Sequence, residues 1–259
     1  MKSAIFLSIR EKATRLPKKV LLEIKGKTVT EHLIDRLKQA KLPDLIVLCT
    51  STHPDDTILV DIAKNNGVDY FRGSEDDKLD RYLRAALKFG IDFVVIVDGD
   101  DIFCDPEYID KTIERFVQTN ADFITCKELP LGAVCSGIKL EALKKVCEIK
   151  DEENTEVWGG YFTETGLFKI EYLKVEDEEL RHPEIRMTLD YPEDFQFFKA
   201  IFEMLYVPGK VFTLKEIVAL LKDNPQIIDI NKDMQKAYIE NLRKHTKIRL
   251  KKNALSWRG

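Results

Sequence analysis

Five basic residues, Arg10, Lys12, Arg15, Lys18 and Lys19, fall within the ten positions from Arg10 to Lys19. Arginine forks onto phosphate oxygens in pairs, and lysine adds a mobile point charge. A loop of this composition suits a triphosphate, and it suits a solvated basic turn equally well. It contains no glycine and is neither a P-loop nor a dinucleotide fingerprint. A second group, Asp98-Gly99-Asp100-Asp101, directly follows the apolar run Phe93 to Val97. Carboxylates this close repel one another without a cation. Mg²⁺, held by one or two carboxylates with phosphate oxygens and water, resolves that repulsion most simply; the bland alternative is an acidic turn at a strand end. Gly99 would let the backbone turn sharply there.

A third group, Asp190-Tyr-Pro-Glu-Asp194, follows Met187-Thr-Leu189. Alone it reads as a helix start, with Pro192 and Glu193 in the opening turn. If Leu189 ends a strand beside Val97, Asp190 meets Asp100 across one metal. Other candidates carry less information. Thr50-Ser51-Thr52 offers hydroxyls to a base or ribose, or caps a helix. Arg72-Gly73-Ser74 could meet a nucleotide, with Asp77 and Arg81 in support. Trp158-Gly159-Gly160 could shape an acceptor pocket or form a packed turn. His53 and His182 have no partner at catalytic or metal spacing and read as surface or turn residues. No Ser/His/Asp constellation has a recognisable context.

The elements that must carry these groups alternate regularly. Strands are expected at 4–9, 45–49, 68–71, 93–97 and 123–126. Helices are expected at 30–40, 56–65, 77–88 and 107–118. Such alternation means right-handed crossovers and a mostly parallel sheet covered on both faces, a three-layer α/β/α arrangement. Sheets of this kind bind ligands beyond the carboxyl ends of their strands. The loops Arg10 to Lys19, Thr50 to Asp55, Arg72 to Asp77 and Asp98 to Asp105 all lie there. Over 127–189 the pattern loosens, with strands expected at 133–138, 161–162 and 167–175 and a short helix at 140–148. This stretch reads as an insertion covering the site or making a dimer contact. The expected division is a nucleotide-binding domain over 1–205 and a C-terminal helical extension over 206–259. A helix capped by Thr213 with Glu216 at its third position is expected in the extension, and a frayed basic end from Lys247.

The whole chain has 259 residues, with 41 Lys and Arg against 45 Asp and Glu, a formal charge of −4. Mild acidity argues against a nucleic-acid coat. A 44% hydrophobic share leaves ample material for a core. No run of eighteen apolar residues occurs, so no membrane span is expected. The apolar run Ala4 to Leu7 after Lys2 is too short for a secretory signal, and a cytoplasmic location is expected. The five cysteines are scattered, without a CxxC pair, and neither a zinc site nor a disulfide scaffold is expected.

Taken together, these stretches resemble the cytidylyltransferase family that includes the acidic-sugar CMP-synthetases, and most closely its spore-coat polysaccharide biosynthesis F proteins. Ile9-Arg-Glu-Lys-Ala-Thr-Arg-Leu-Pro-Lys-Lys-Val-Leu21 is similar to ARxxSTRLPGKVL, with Lys18 in place of the glycine. Gly26-Lys-Thr-Val-Thr-Glu-His-Leu-Ile-Asp-Arg-Leu37 is similar to GKPxLEHxIxRL. Phe71-Arg-Gly-Ser-Glu-Asp-Asp-Lys-Leu-Asp-Arg-Tyr82 resembles FRGSEDDVLDRY. Gly99-Asp-Asp-Ile-Phe-Cys-Asp-Pro-Glu107 resembles GDCPLIDPE, and Thr188-Leu-Asp-Tyr-Pro-Glu-Asp194 resembles TVDYPEDL.

The resemblance implies an α/β nucleotidyltransferase fold, often a homodimer joined through the inserted segment. It implies transfer of a nucleotidyl group from CTP or a related triphosphate to an acidic sugar or sugar-like acceptor, with pyrophosphate leaving. Arg10, Arg15 and Lys19 would hold the triphosphate, and Asp100 and Asp190 would bind Mg²⁺. Thr50, Ser51, Arg72, Ser74 and Asp98 would lie near the nucleotide. The rival readings are transfer to a sugar phosphate or phosphonate, a non-catalytic nucleotide-binding homologue, and a glycosyltransferase.

Overall fold

The computed structural model describes residues 1–12, 15–245 and 248–252, with 242–245 described by their backbone alone. Its strands and helices run in the order β1 (Ser3–Ser8), β2 (Glu23–Ile24), β3 (Lys27–Thr28), α1 (Val29–Leu37), β4 (Leu45–Ser51), α2 (Thr57–Asn65), β5 (Asp69–Gly73), α3 (Lys78–Phe89) and β6 (Phe93–Asp98). There follow α4 (Pro106–Thr119), β7 (Phe123–Cys126), β8 (Ser136–Lys139), α5 (Leu140–Ile149), α6 (Gly160–Thr163) and β9 (Ile170–Leu173). The chain continues through α7 (Pro192–Leu205), α8 (Leu214–Asp223) and α9 (Met234–His245).

Seven strands form one sheet in the order β5-β4-β1-β6-β8-β7-β9. The central β1 is parallel to β4 on one side and to β6 on the other. Its side chains alternate between two cores, as the two-residue period of a strand requires. Ile5 and Leu7 enter a cluster with Leu33, Leu37, Leu59 and Ile113, so α1, α2 and α4 cover that face. Ala4 and Phe6 enter another with Leu79, Tyr82, Leu143 and Val146, so α3 and α5 cover the opposite face. Helix boundaries follow local chemistry. Thr28 and Glu31 close a capping box on α1, Asp77 accepts from the Asp80 amide to start α3, and Gly90 ends α3 at φ 65°. The box expected at Thr213 and Glu216 starts α8.

Three readings of the looser half change. Strand β8 is antiparallel and lies between β6 and β7, so the 127–189 stretch supplies an internal strand of the main sheet. Tyr161 and Phe162 form a helical turn, because both rings are buried on one core where alternation would send one outward. Residues 187–189 form no strand beside Val97. The place next to β6 belongs to β8, and the Leu189 amide instead reaches the Asp100 carbonyl at 2.9 Å, beyond the strand's end.

The extension after 205 is likewise integral. Leu214, Ile217 and Leu221 of α8 share a core with Phe197, Phe198 and Phe202 of α7 and with Ile102 and Phe103 beneath the acidic loop. Of the basic end expected to fray, Lys247 and residues 253–259 lie outside the described residues. Leu250 bridges to Lys150, and the Asp151 amide donates to the Arg249 carbonyl at 2.8 Å. All five cysteines are free. Among the described residues, no helix is long and apolar enough to cross a membrane.

Candidate active site

The carboxyl ends of β1 and β6, the start of α3 and the turn before α7 surround a cleft of about 840 Å³. Parallel strands of one sheet end on the same side, so loops distant in sequence converge there. Gly99 is needed for this convergence, because a Cβ there would stand 2.6 Å from Cγ1 of Ile9. Lys19 opens a short 3-10 turn whose next residue, Val20, is buried. The preceding Lys18 has φ 54°, a left-handed conformation that favours glycine. Lys18 thus holds a glycine-like conformation at the position where the resembling motif has glycine.

Lys19 Nζ lies 2.7 Å from Asp100 Oδ2 and 2.9 Å from Asp190 Oδ1. Arg15 reaches the same Asp190 oxygen at 2.7 Å. The three sequence clusters meet here. Burial would lower the Lys19 pKa, but Asp100 and Asp190 outweigh it and hold the ammonium charged. Burial would raise the Asp190 pKa, but Lys19 and Arg15 hold it well below the usual carboxylate range. Asp100 moves the other way, because burial and the neighbouring Asp190 and Asp98 outweigh Lys19. Asp101 is raised further, by burial and then by Asp100 and Asp98.

Asp190 is held by a residue that sequence reasoning missed. Arg186, buried to 2% exposure, donates to Asp190 Oδ2 at 3.1 Å and to both oxygens of Asp194 at 2.8 and 2.9 Å. Asp194 also accepts from the amides of Asp190 and Tyr191 and from Asn231 Nδ2. A carboxylate saturated in this way fixes the turn before α7 and aims Asp190 into the cleft. The available signal was an arginine four and eight residues before the two aspartates. Tyr238 of α9 lines the cleft and packs its ring 4.9 Å from the Arg186 guanidinium, so the C-terminal extension contributes to the site.

A second charged group lies along the cleft. Lys78, where the resembling motif has valine, stands 3.3 Å from Asp98 Oδ1 and 3.0 Å from Glu156 Oε1. Arg10 bonds to the other Glu156 oxygen and, at 2.6 Å, to the Glu75 carbonyl. Burial would raise the Glu156 pKa, but Lys78 and then Arg10 bring it down to about 2. Trp158 also lines the cleft, while its ring packs against Tyr82, Phe123 and Phe162.

Arg10, Arg15, Lys19, Asp98, Asp100 and Asp190 all line the cleft; Thr50, Ser51, Arg72 and Ser74 do not. Thr50 and Ser51 are fully buried at the end of β4. Ser51 donates to Asp56, whose carboxylate also accepts from the Glu11 amide at 2.7 Å. Arg72 donates to the carbonyls of Ser51 and His53 at 2.9 and 2.6 Å. Ser74 accepts from the Asp77 amide before α3. Ser51, Arg72 and Ser74 brace the chain around the cleft. Arg72 and Ser74 looked free in sequence because their partners are backbone atoms, which carry no residue signature. His53 caps a short turn and His182 pairs with Glu184 at the surface, as expected.

A divalent ion fits this arrangement. Asp100 and Asp190 converge on one ammonium, so their oxygens already face a common cationic point. Among the described residues no three His, Cys, Asp or Glu side chains form a metal cage. Two carboxylates completed by phosphate oxygens and water are the usual Mg²⁺ arrangement.

A mostly parallel α/β sheet with basic and acidic loops converging at its carboxyl edge defines a nucleotidyltransferase. The chain belongs to the cytidylyltransferase family, whose model matches residues 4–241. It is 32% identical over 246 residues to an uncharacterised protein of Methanocaldococcus jannaschii, covering 93% of this chain and 99% of the relative. It is 27% identical over 227 residues to the spore coat polysaccharide biosynthesis protein SpsF of Bacillus subtilis, covering 85% and 93%. A solved cytidylyltransferase from Leptospira borgpetersenii superposes with a TM-score of 0.80 at 28% identity, covering 88% of this chain and 97% of the other.

Proposed function

We propose that this enzyme transfers CMP from CTP to an acidic sugar or sugar-like acceptor, releasing pyrophosphate, in surface polysaccharide or glycan biosynthesis. The observation that carries this reading is the meeting of Lys19 and Arg15 with Asp100 and Asp190 in one cleft. Family membership supports CTP as donor. The similarity to a spore coat polysaccharide biosynthesis protein supports a glycan acceptor.

In this reading the α-phosphoryl group lies beside Asp100 and Asp190, with the acceptor oxygen in line with the departing pyrophosphate. Asp100 and Asp190 would hold Mg²⁺, which when bound supplies Lewis-acid polarisation of phosphate oxygens. Lys19 and Arg15 offset the charge that grows on the leaving oxygens, and Arg10 adds a guanidinium along the cleft. Arg186 and Asp194 hold Asp190 in position, so little reorganisation accompanies reaction. The cationic array matters because an acidic acceptor and a triphosphate are both anions.

The test is a matrix of four nucleoside triphosphates against acidic sugars, sugar phosphates and phosphonates, read by pyrophosphate release and product mass. The expected product is CMP joined directly to a sugar acid. A diphosphate linkage would redirect the assignment to sugar phosphates. Nucleotide binding without pyrophosphate release across the panel would leave a non-catalytic homologue. In the active pair, Lys19→Ala should impair both turnover and triphosphate binding; unchanged rates at low CTP would remove its role.

A further inference from the structure

Arg81 presents an unsolved pairing problem. Its side chain is fully buried, lines the cleft and donates through one terminal nitrogen to the Ser74 carbonyl at 2.8 Å. Its Nε and NH2 have no acceptor among the described residues. A buried donor left unpaired costs about 1–3 kcal/mol, and in a native fold it calls for a reason. Lys78, three residues earlier on α3, is itself only 9% exposed and faces Asp98 and Glu156. Arg10 approaches from the first loop and shares Glu156 with Lys78. Three cations thus border one part of the cleft, with Asp98 and Glu156 as carboxylate partners of Lys78 and Arg10.

Those two carboxylates are held differently. Asp98 ends β6 and is fixed by the sheet. Glu156 belongs to the loop after α5, and its side chain is 49% exposed. The loop is pinned by the preceding residue: the Thr155 amide donates to the Asp76 carbonyl, and its hydroxyl donates to Asp77 and accepts from the Leu79 amide. Among the described residues, Glu156 has no hydrogen bond or ion pair beyond Arg10, Lys78 and a weak amide contact to Asn154. Its carboxylate can therefore leave without unseating the loop.

We propose that Arg10, Lys78 and Arg81 form an oxyanion subsite for a substrate carboxylate or phosphate, with Glu156 as an internal anion that the incoming group replaces. The unpaired donors of Arg81 complete the contact that Glu156 leaves unmade. The subsite deepens the function proposed above, and only the description of the incoming anion as a substrate group rests on that reading. The shared chemistry has two sources, the pyrophosphoryl end of the nucleotide and the carboxylate of an acidic acceptor.

The experiment uses the full chain carrying Trp257→Phe, which leaves Trp158 as the single tryptophan in the cleft wall, two residues from Glu156. Its emission is titrated separately with inorganic pyrophosphate and with 3-deoxy-manno-octulosonate, in this parent and in the added variants Lys78→Met and Glu156→Gln. At least one anion should change the emission saturably. Its affinity should fall by about tenfold or more in Lys78→Met, as expected for loss of a charge-assisted contact. It should rise severalfold in Glu156→Gln, where the internal competitor has lost its charge. Response to pyrophosphate assigns the subsite to the nucleotide, and response to the sugar acid assigns it to the acceptor. No response to either anion, or an affinity in Glu156→Gln equal to the parent's, overturns the proposal. Glu156 is half-exposed, so this variant decides the matter even if Lys78→Met does not fold. A lack of pyrophosphate release from CTP would overturn the proposed reaction while leaving this binding result intact.

Discussion

At one part of the cleft a single ammonium, Lys19, sits between two carboxylates; at the other, a single carboxylate, Glu156, sits between two cations. Asp100 and Asp190 outnumber the lysine they share, although Arg15 and Arg186 also attend Asp190. Around Glu156 the excess is positive, and Arg81 adds donors without acceptors among the described residues. The first arrangement favours an added cation and the second an added anion. The proposed reaction, which would bring a metal-bound triphosphate to an anionic acceptor, needs both polarities in one cavity, separated enough that neither cancels the other. The average charge of the chain hides this polarity.

The comparison is broken most severely at Asp100. Asp100→Ala should lower Mg²⁺-dependent turnover by about 10²- to 10³-fold while the fold survives. Near-normal pyrophosphate release by that variant would sink the metal assignment. Arg186 comes next, because it keeps Asp190 on the Lys19 side. Arg186→Met leaves the buried Asp194 without its cation and should destabilise the fold by about 3 kcal/mol in urea unfolding. A midpoint matching the parent's would show that Arg186 does not hold the turn.

A smaller effect separates bracing from binding. Arg72→Met removes two donors to loop carbonyls and should cost about 1–2 kcal/mol of stability with CTP affinity retained. A large rise in the CTP dissociation constant at unchanged stability would return Arg72 to the nucleotide. Lys18→Gly relieves a left-handed lysine and should stabilise the chain by about 1 kcal/mol in thermal unfolding. A lower melting temperature would mean that the lysine side chain contributes more than its backbone costs.

The smallest effect sharpens the Glu156 side. Its folded pKa lies near 2, below its ordinary 4.5, so its ionised form favours the fold. That contribution is present above about pH 4.5 and fades as pH falls towards 2. Partial exposure screens the pairs and keeps the effect small. Melting temperatures over this range should fall slightly more steeply in the parent than in Glu156→Gln, and parallel curves would show that the pairs add no stability.

Much of the scaffold was legible from the residues. Continuous apolar runs such as Phe93 to Val97 mark strands buried on both faces, and the cap at Thr213 marks a helix start, because both depend on near neighbours. The antiparallel placement of β8 was not legible. Its four residues lack a pattern that distinguishes an internal strand from a peripheral one, and only pairing with β6 and β7 decides between them. The contacts of Ser51 and Arg72 were hidden for a related reason: a polar side chain near the end of a strand looks available until its partners, here the Asp56 carboxylate and the carbonyls of Ser51 and His53, are known.

The residue types and their order determined that a basic cluster follows β1 and an acidic cluster follows β6 in a mostly parallel sheet, since covalent spacing and periodicity are local properties. Tertiary structure alone decided which charges meet. It placed Lys19 between Asp100 and Asp190, 81 and 171 positions away, and set Arg186 behind Asp190. It also set Glu156 against Lys78 and, among the described residues, left Arg81 short of acceptors. Electrostatic pairing acts over a few ångströms and is indifferent to distance along the chain, so these contacts exist only once the sheet has brought its strand ends together.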